Sequence, residues 1–112
     1  MAKSIKLGND TYWDTSGLYG GQIFNLIEQL SGNSTMTLSI PNGFRGIIYA
    51  FRGATVMGQY MVNCNASGTV SVCEIAAVTN ITFSASTNSL TFTNTASAAS
   101  QMYYIGSDIL ST

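Results

Sequence analysis

Two carboxylates, Asp10 and Asp14, stand four residues apart around a Tyr-Trp pair in the stretch LGNDTYWDTSGLYGG, residues 7–21. Acids beside aromatics are the residue types of a sugar-cleaving site. Glycoside hydrolysis takes two carboxyl groups roughly 5 to 9 Å apart across the bond to be broken. Spacing in sequence does not supply that separation. The competing chemistry is local: Asp beside Gly or Ser-Gly bonds its own backbone and makes turns. We read Asp10 and Asp14 as turn residues. Tyr12, Trp13 and Tyr19 pose a similar choice. They suit a stacking platform for a sugar ring, or the core of a protein interface, where aromatics are enriched. The interface is the reading adopted here.

Other chemistries find less material. The chain has no histidine, which removes the commonest general base and the commonest metal ligand. Its two cysteines, Cys64 and Cys73, cannot alone make a structural zinc site. No dense array of oxygen ligands of the calcium-loop kind occurs. No Cys, His and acid set exists for nucleophilic catalysis. No catalytic residue, metal or cofactor is therefore assigned. Asn33, Asn65 and Asn80 each open an Asn-X-Ser/Thr triplet, a frequency that chance explains in a chain so rich in Ser and Thr. Tyr103 and Tyr104 are neighbours on an expected strand, so one points in and the other out. The outward tyrosine, with loop residues near Ser67 and Asn88, is the candidate ligand contact.

The totals bound what could position these residues. At 112 residues the chain is long enough for a single core. Only 8% of residues are charged against about 25% in typical domains, while 46% are hydrophobic. The polar surface is thus mostly uncharged Ser, Thr, Asn and Gly. With net charge −1, a lone molecule would be a poor colloid, and burying surface against identical copies relieves that. Four basic residues cannot supply the phosphate contacts of nucleic-acid binding. No run approaches the roughly 18 apolar residues of a membrane span. The opening MAKSIK lacks the apolar core of a signal peptide, so the chain is expected to be made and kept in a cytosol or to leave the cell by another route. Cys64 and Cys73 could bridge across strands, but without a secretory signal they are expected as reduced, buried thiols.

From Leu38 onward the pattern is β. TLSI alternates, and Asn42-Gly43 then predicts a hairpin into FRGIIYAFRG, with Gly46 at a bulge or bend. A type II′ turn centred on Gly68-Thr69 would set Cys64 opposite Cys73, Val62 opposite Ile75 and Tyr60 opposite Ala77. In NITFSASTNSLTFTN, a turn at Thr87-Asn88 sets Phe83 opposite Phe92, both buried, with every hydroxyl on the other face. QMYYIGSDIL closes the chain as a last strand. About seven short strands at roughly ten-residue spacing predict an antiparallel β-sandwich or jelly roll. Ahead of them, SIKLGNDTYWD reads as two short extended pieces around a Gly-Asn turn. Ile23, Leu26, Ile27 and Leu30 fall at helical spacing, which predicts a short helix over residues 22–30 stopped by Gly32.

The opening SIKLGNDTYWDTSGLYGG, above all KLGNDTYWDTSGL, resembles the start of C-terminal head modules in phage and prophage tail-fibre or baseplate proteins. IPNGFRGIIYAF and the closing MYYIGSDIL fit such heads in style. The resemblance implies a homotrimer about a threefold axis, a place in the virion after assembly in the host cytoplasm, and binding to a host surface. It transfers no catalytic residue. The expected architecture is all-β, a jelly-roll-like antiparallel sandwich over residues 33–112, preceded by an arm and short helix over 1–32 that join the copies. Ile5, Leu7, Tyr12, Trp13, Leu18, Tyr19, Ile23, Phe24, Ile27 and Leu30 are the expected interface residues. Tyr103, Tyr104, Ser67 and Asn88 are the expected contacts to a host-surface glycan. The rival readings are a carbohydrate-binding module of a secreted enzyme and a small glycosidase using Asp10 and Asp14.

Overall fold

The computed structural model describes residues 4–7, 10–14, 25–53 and 56–112, with side chains from Asn25 to Gly53 and from Met57 onward. The two short extended pieces are present as β1 (Ser4–Leu7) and β2 (Asp10–Asp14), paired antiparallel with Ile5 opposite Trp13. The Gly8-Asn9 turn between them lies outside the described residues.

Among the described residues the other eight strands make two antiparallel sheets. They are β3 (Asn25–Leu30), β4 (Ser34–Ser39), β5 (Arg45–Arg52), β6 (Val56–Cys64), β7 (Val70–Ala76), β8 (Ile81–Ser86), β9 (Ser89–Asn94) and β10 (Ser100–Gly106). One sheet runs β3-β10-β5-β6-β7 and the other β4-β9-β8. Their inner faces share one core, the arrangement of a β-sandwich. Met36, Leu38, Leu90 and Phe92 come from the smaller sheet; Ile48, Ala50, Tyr60, Val62, Met102 and Tyr104 come from the larger. Tyr60 joins the two, its ring 5.1 Å from Phe92 and 5.7 Å from Phe83 in edge-on contacts.

Several expectations change. No helix occupies Asn25–Leu30: this segment is β3, paired along the edge of β10. The helical spacing has a local cause. Glu28 faces Met102 and Leu26 faces Tyr103, so Ile27 is the extra residue of a register shift. That shift breaks the two-residue period of a strand and lets Ile27 pack on the core alongside buried Leu30. Leu30 therefore belongs to its own sandwich and not to a helical contact between copies. β3, which falls within the segment expected to form the arm and short helix, is a strand of the larger sheet. The part of the expected helix before Asn25 lies outside the described residues.

The Asn-Gly turn does not make a hairpin. Phe44 N–H bonds Pro41 C=O at 3.1 Å and Gly43 has φ 83°, a type II turn that carries the chain from one sheet into the other. β4 then pairs with β9, and β5 with β6 and β10. Gly46 sits in regular register opposite Val62 and Gly106, without a bulge.

The β6–β7 register is also displaced. Cys64 faces Val70, Val62 faces Val72, Tyr60 faces Glu74, and Cys73 faces Met61. The offset of three residues is odd, so it turns Cys73 to the opposite face from Cys64. Both are free thiols; Cys64 is buried as expected, but the displaced register leaves Cys73 exposed, not buried.

The third hairpin is as expected, with Phe83 opposite Phe92 and Ser86 opposite Ser89. Phe92 is fully buried, but Phe83 on the edge strand is only half-buried.

The two outer flanks differ in chemistry. On the smaller sheet the outward positions are Thr35, Thr37, Ser39, Thr82, Ser84, Ser86, Ser89, Thr91 and Thr93, so the flank presents hydroxyls alone. Some bond one another, as Thr37 and Thr91 do at 3.0 Å. On the larger sheet Ile47, Tyr49, Phe51, Met57, Met61, Tyr103 and Ile105 point outward.

Candidate functional site

The loops at one end of the sandwich are tied into a single platform by two asparagines. Asn65 ends the β6 side of its hairpin. Its carboxamide oxygen accepts from Ser67 N–H at 3.0 Å, Ser67 Oγ at 2.9 Å and Thr69 N–H at 2.9 Å. Gly68 N–H bonds Asn65 C=O at 3.1 Å, and Gly68 takes φ 90°. This is a three-residue loop with Gly in the left-handed position, not the two-residue turn centred on Gly68-Thr69. The Asn65 side chain selects it by capturing two backbone donors.

Asn88 joins this loop to the others. Its N–H donates to Gly68 C=O at 2.8 Å, and its C=O accepts from Ile40 N–H at 3.0 Å. Its carboxamide nitrogen donates to Ile40 C=O at 2.9 Å and to Asn42 Oδ1 at 2.7 Å. Asn88 itself holds φ 53°, a left-handed conformation that Asn tolerates better than most residues. A Cβ on Gly68 would run into the Asn88 carboxamide, so the two loops meet only with glycine there. Connections 40–44, 65–69 and 87–88 thus move as one body.

Beside the knot lies an open depression of about 540 Å³. Asn42, Arg45, Asn63 and Asn65 give it polar walls, and Gly43, Cys64 and Ala66 complete the lining. Among the described residues no carboxylate lines it. Arg45 is fixed at its backbone, where its N–H bonds Ser107 Oγ at 2.9 Å and its C=O accepts from Ser107 N–H at 2.9 Å. Amide groups donate and accept together, and a guanidinium adds five donors. Such walls suit an uncharged or acidic ligand rich in hydroxyls.

The expected contacts divide. Ser67 and Asn88 are brought together at this end, but both spend their polar groups on the platform, and neither lines the depression. Tyr104 is buried in the core, its hydroxyl accepting from Leu110 N–H at 3.2 Å, so it is not a ligand contact. Tyr103 points out on the larger sheet, where its ring meets Phe51 edge-on at 5.7 Å. Asp10 and Asp14 mark the two ends of β2, their α-carbons roughly 13 Å apart by strand rise. Ile5, Leu7, Tyr12 and Trp13 lie on the β1–β2 ladder, whose backbone alone is described. Leu18, Tyr19, Ile23 and Phe24 lie outside the described residues.

Sequence reasoning passed over Asn42, Arg45 and Asn63 as lining residues and read Asn65 only as part of a chance triplet. The available signal was Asn42-Gly43 together with Asn63 and Asn65 on either side of Cys64. Among the described residues no three metal-ligating side chains gather, and no helix is long and apolar enough to cross a membrane. No family model, curated protein or solved structure matches the chain.

Proposed function

We propose that this chain is a non-enzymatic virion module of the tail-fibre or baseplate kind, which assembles as a homotrimer and attaches to a glycan on the host surface. The observation that carries the attachment is the amide-lined depression on a loop platform held rigid by Asn65 and Asn88. Ligand contacts concentrate on loops that a stiff scaffold positions. The low charge of the chain and its resemblance to trimeric heads support the assembly. The β3–β10 and β4–β9 pairings bring the two ends of the chain into both sheets, which supports a jelly-roll-like form.

Titration against a panel of neutral and acidic oligosaccharides tests the attachment. The wild-type chain should bind at least one, and joint replacement Asn42→Ala and Arg45→Ala should weaken it at least tenfold with strand content unchanged. Binding that survives this replacement removes the depression as the site. Tail genes beside this one would support the virion assignment, and their absence from the neighbourhood would count against it.

A further inference from the structure

We infer that the outer flank of the five-stranded sheet, around Ile47, Phe51 and Met61, is where copies of this chain meet. The inference rests on the homotrimer reading above and moves the seat of contact from the arm to the sheet. Leu26 is 60% exposed, Met57 62% and Met61 50%, high values for large apolar side chains. They form one patch by register. Leu26, Tyr103, Tyr49 and Gln59 make one row across β3, β10, β5 and β6. Ile105, Ile47, Met61 and Cys73 make the next row. Gln29, Gln101, Phe51 and Met57 make a third. None of these twelve positions is charged. Within the patch Tyr49 and Phe51 lie nearly parallel, 6.1 Å apart, with Tyr103 edge-on to Phe51.

Area and polarity select the occupant. Twelve outward positions, each covering about 4.8 Å by two residues of strand rise, span roughly 400 Å². That lies within what a monomer's largest apolar patch covers, roughly 300–600 Å². It supplies about half of the ~800 Å² that each partner gives a standard interface. An uncharged partner face of equal size is required, and every copy of this chain carries one. The opposite flank, nine hydroxyls without an apolar side chain, is suited to water. A closed ring that turns the apolar flanks inward and the hydroxyl flanks outward satisfies both at once.

Sedimentation and native mass measurement at micromolar concentration test this, with Cys73 as a probe within the patch. The wild-type chain should be a trimer. Met61→Glu and Leu26→Asp each alter a residue at least half exposed, so strand circular dichroism should persist while trimer affinity falls at least tenfold. Ser84→Glu, on the hydroxyl flank, should leave the trimer intact. Maleimide should label Cys73 at least tenfold more slowly in the trimer than in the dissociated variants. A trimer unaffected by both variants, or one in which Cys73 labels as fast as a free thiol, overturns this interface and leaves the homotrimer reading standing. A monomeric wild-type chain overturns both.

Discussion

Tyr60 links the two sheets through its ring contacts with Phe92 and Phe83, and its hydroxyl can be titrated. Burial pushes the hydroxyl pKa above the ordinary value of 10.0, the polar backbone near Val78 takes part of that back, and Glu74 adds to the rise. Among the described residues the hydroxyl has no hydrogen-bond partner. A raised pKa in the folded state means that the folded chain holds this proton more tightly than the unfolded one. The corresponding stability is complete below the unfolded tyrosine value, near 10, and is lost as pH rises through the higher folded value. Denaturant melts at neutral pH and above pH ~10 should therefore show an alkaline loss that Tyr60→Phe makes smaller. An equal loss in both proteins would remove Tyr60 as its source. Asn88 is the second residue of this kind, since its backbone and side chain together hold three loops. Asn88→Ala should cost about 2–4 kcal/mol, combining lost hydrogen bonds with alanine's poorer fit to a left-handed backbone. Asn88→Gly should recover only the backbone part, which separates the two contributions in the same melts.

Among the elements, the β8–β9 hairpin was the most legible in sequence. Its strands alternate cleanly because one face meets the core and the other meets water. The same reading supports unequal costs for its two aromatics. Phe92→Ala, on the central strand, should cost about 3–5 kcal/mol, and Phe83→Ala, half-buried at the edge, about half as much. Equal losses would mean that β8 is better covered than its edge position implies. The misread elements have physical reasons of their own. β5 and β10 are apolar on both faces, so their sequences carry no period that says which face is the core. Asn42-Gly43 was rightly a turn. Its outcome depended on β5 finding β10, with Phe51 opposite Gln101, a pairing that no local signal records. Around Gly68 two turn phases compete, and the choice falls to a side-chain oxygen on Asn65. A single extra residue, Ile27, gave β3 the spacing of a helix. The loop platform was half legible for a related reason. Ser67 and Asn88 announced themselves as turn residues, whereas the depression draws its walls from loops that only the fold brings together.

For the whole molecule, two forces could hold copies together, and they respond to different changes. A charge-driven assembly weakens in salt, because the screening length falls from about 10 Å at 0.1 M to about 3 Å at 1 M. An assembly held by the apolar rows of the larger sheet should keep its mass over that range. Trimers that dissociate steadily as sodium chloride rises would point instead to the few charged residues. Truncation separates the flank from the arm. The described strands of the two sandwich sheets start at Asn25, so deleting residues 1–21 removes none of them, and the circular dichroism of strands should survive. If the flank is the main contact, the truncated chain should still form trimers, with affinity reduced by whatever the arm adds. A truncated chain that keeps its strands but sediments wholly as a monomer would return the contact to the arm. Trp13 and Tyr19 would then be the aromatics that join the copies, and the apolar flank would need another occupant.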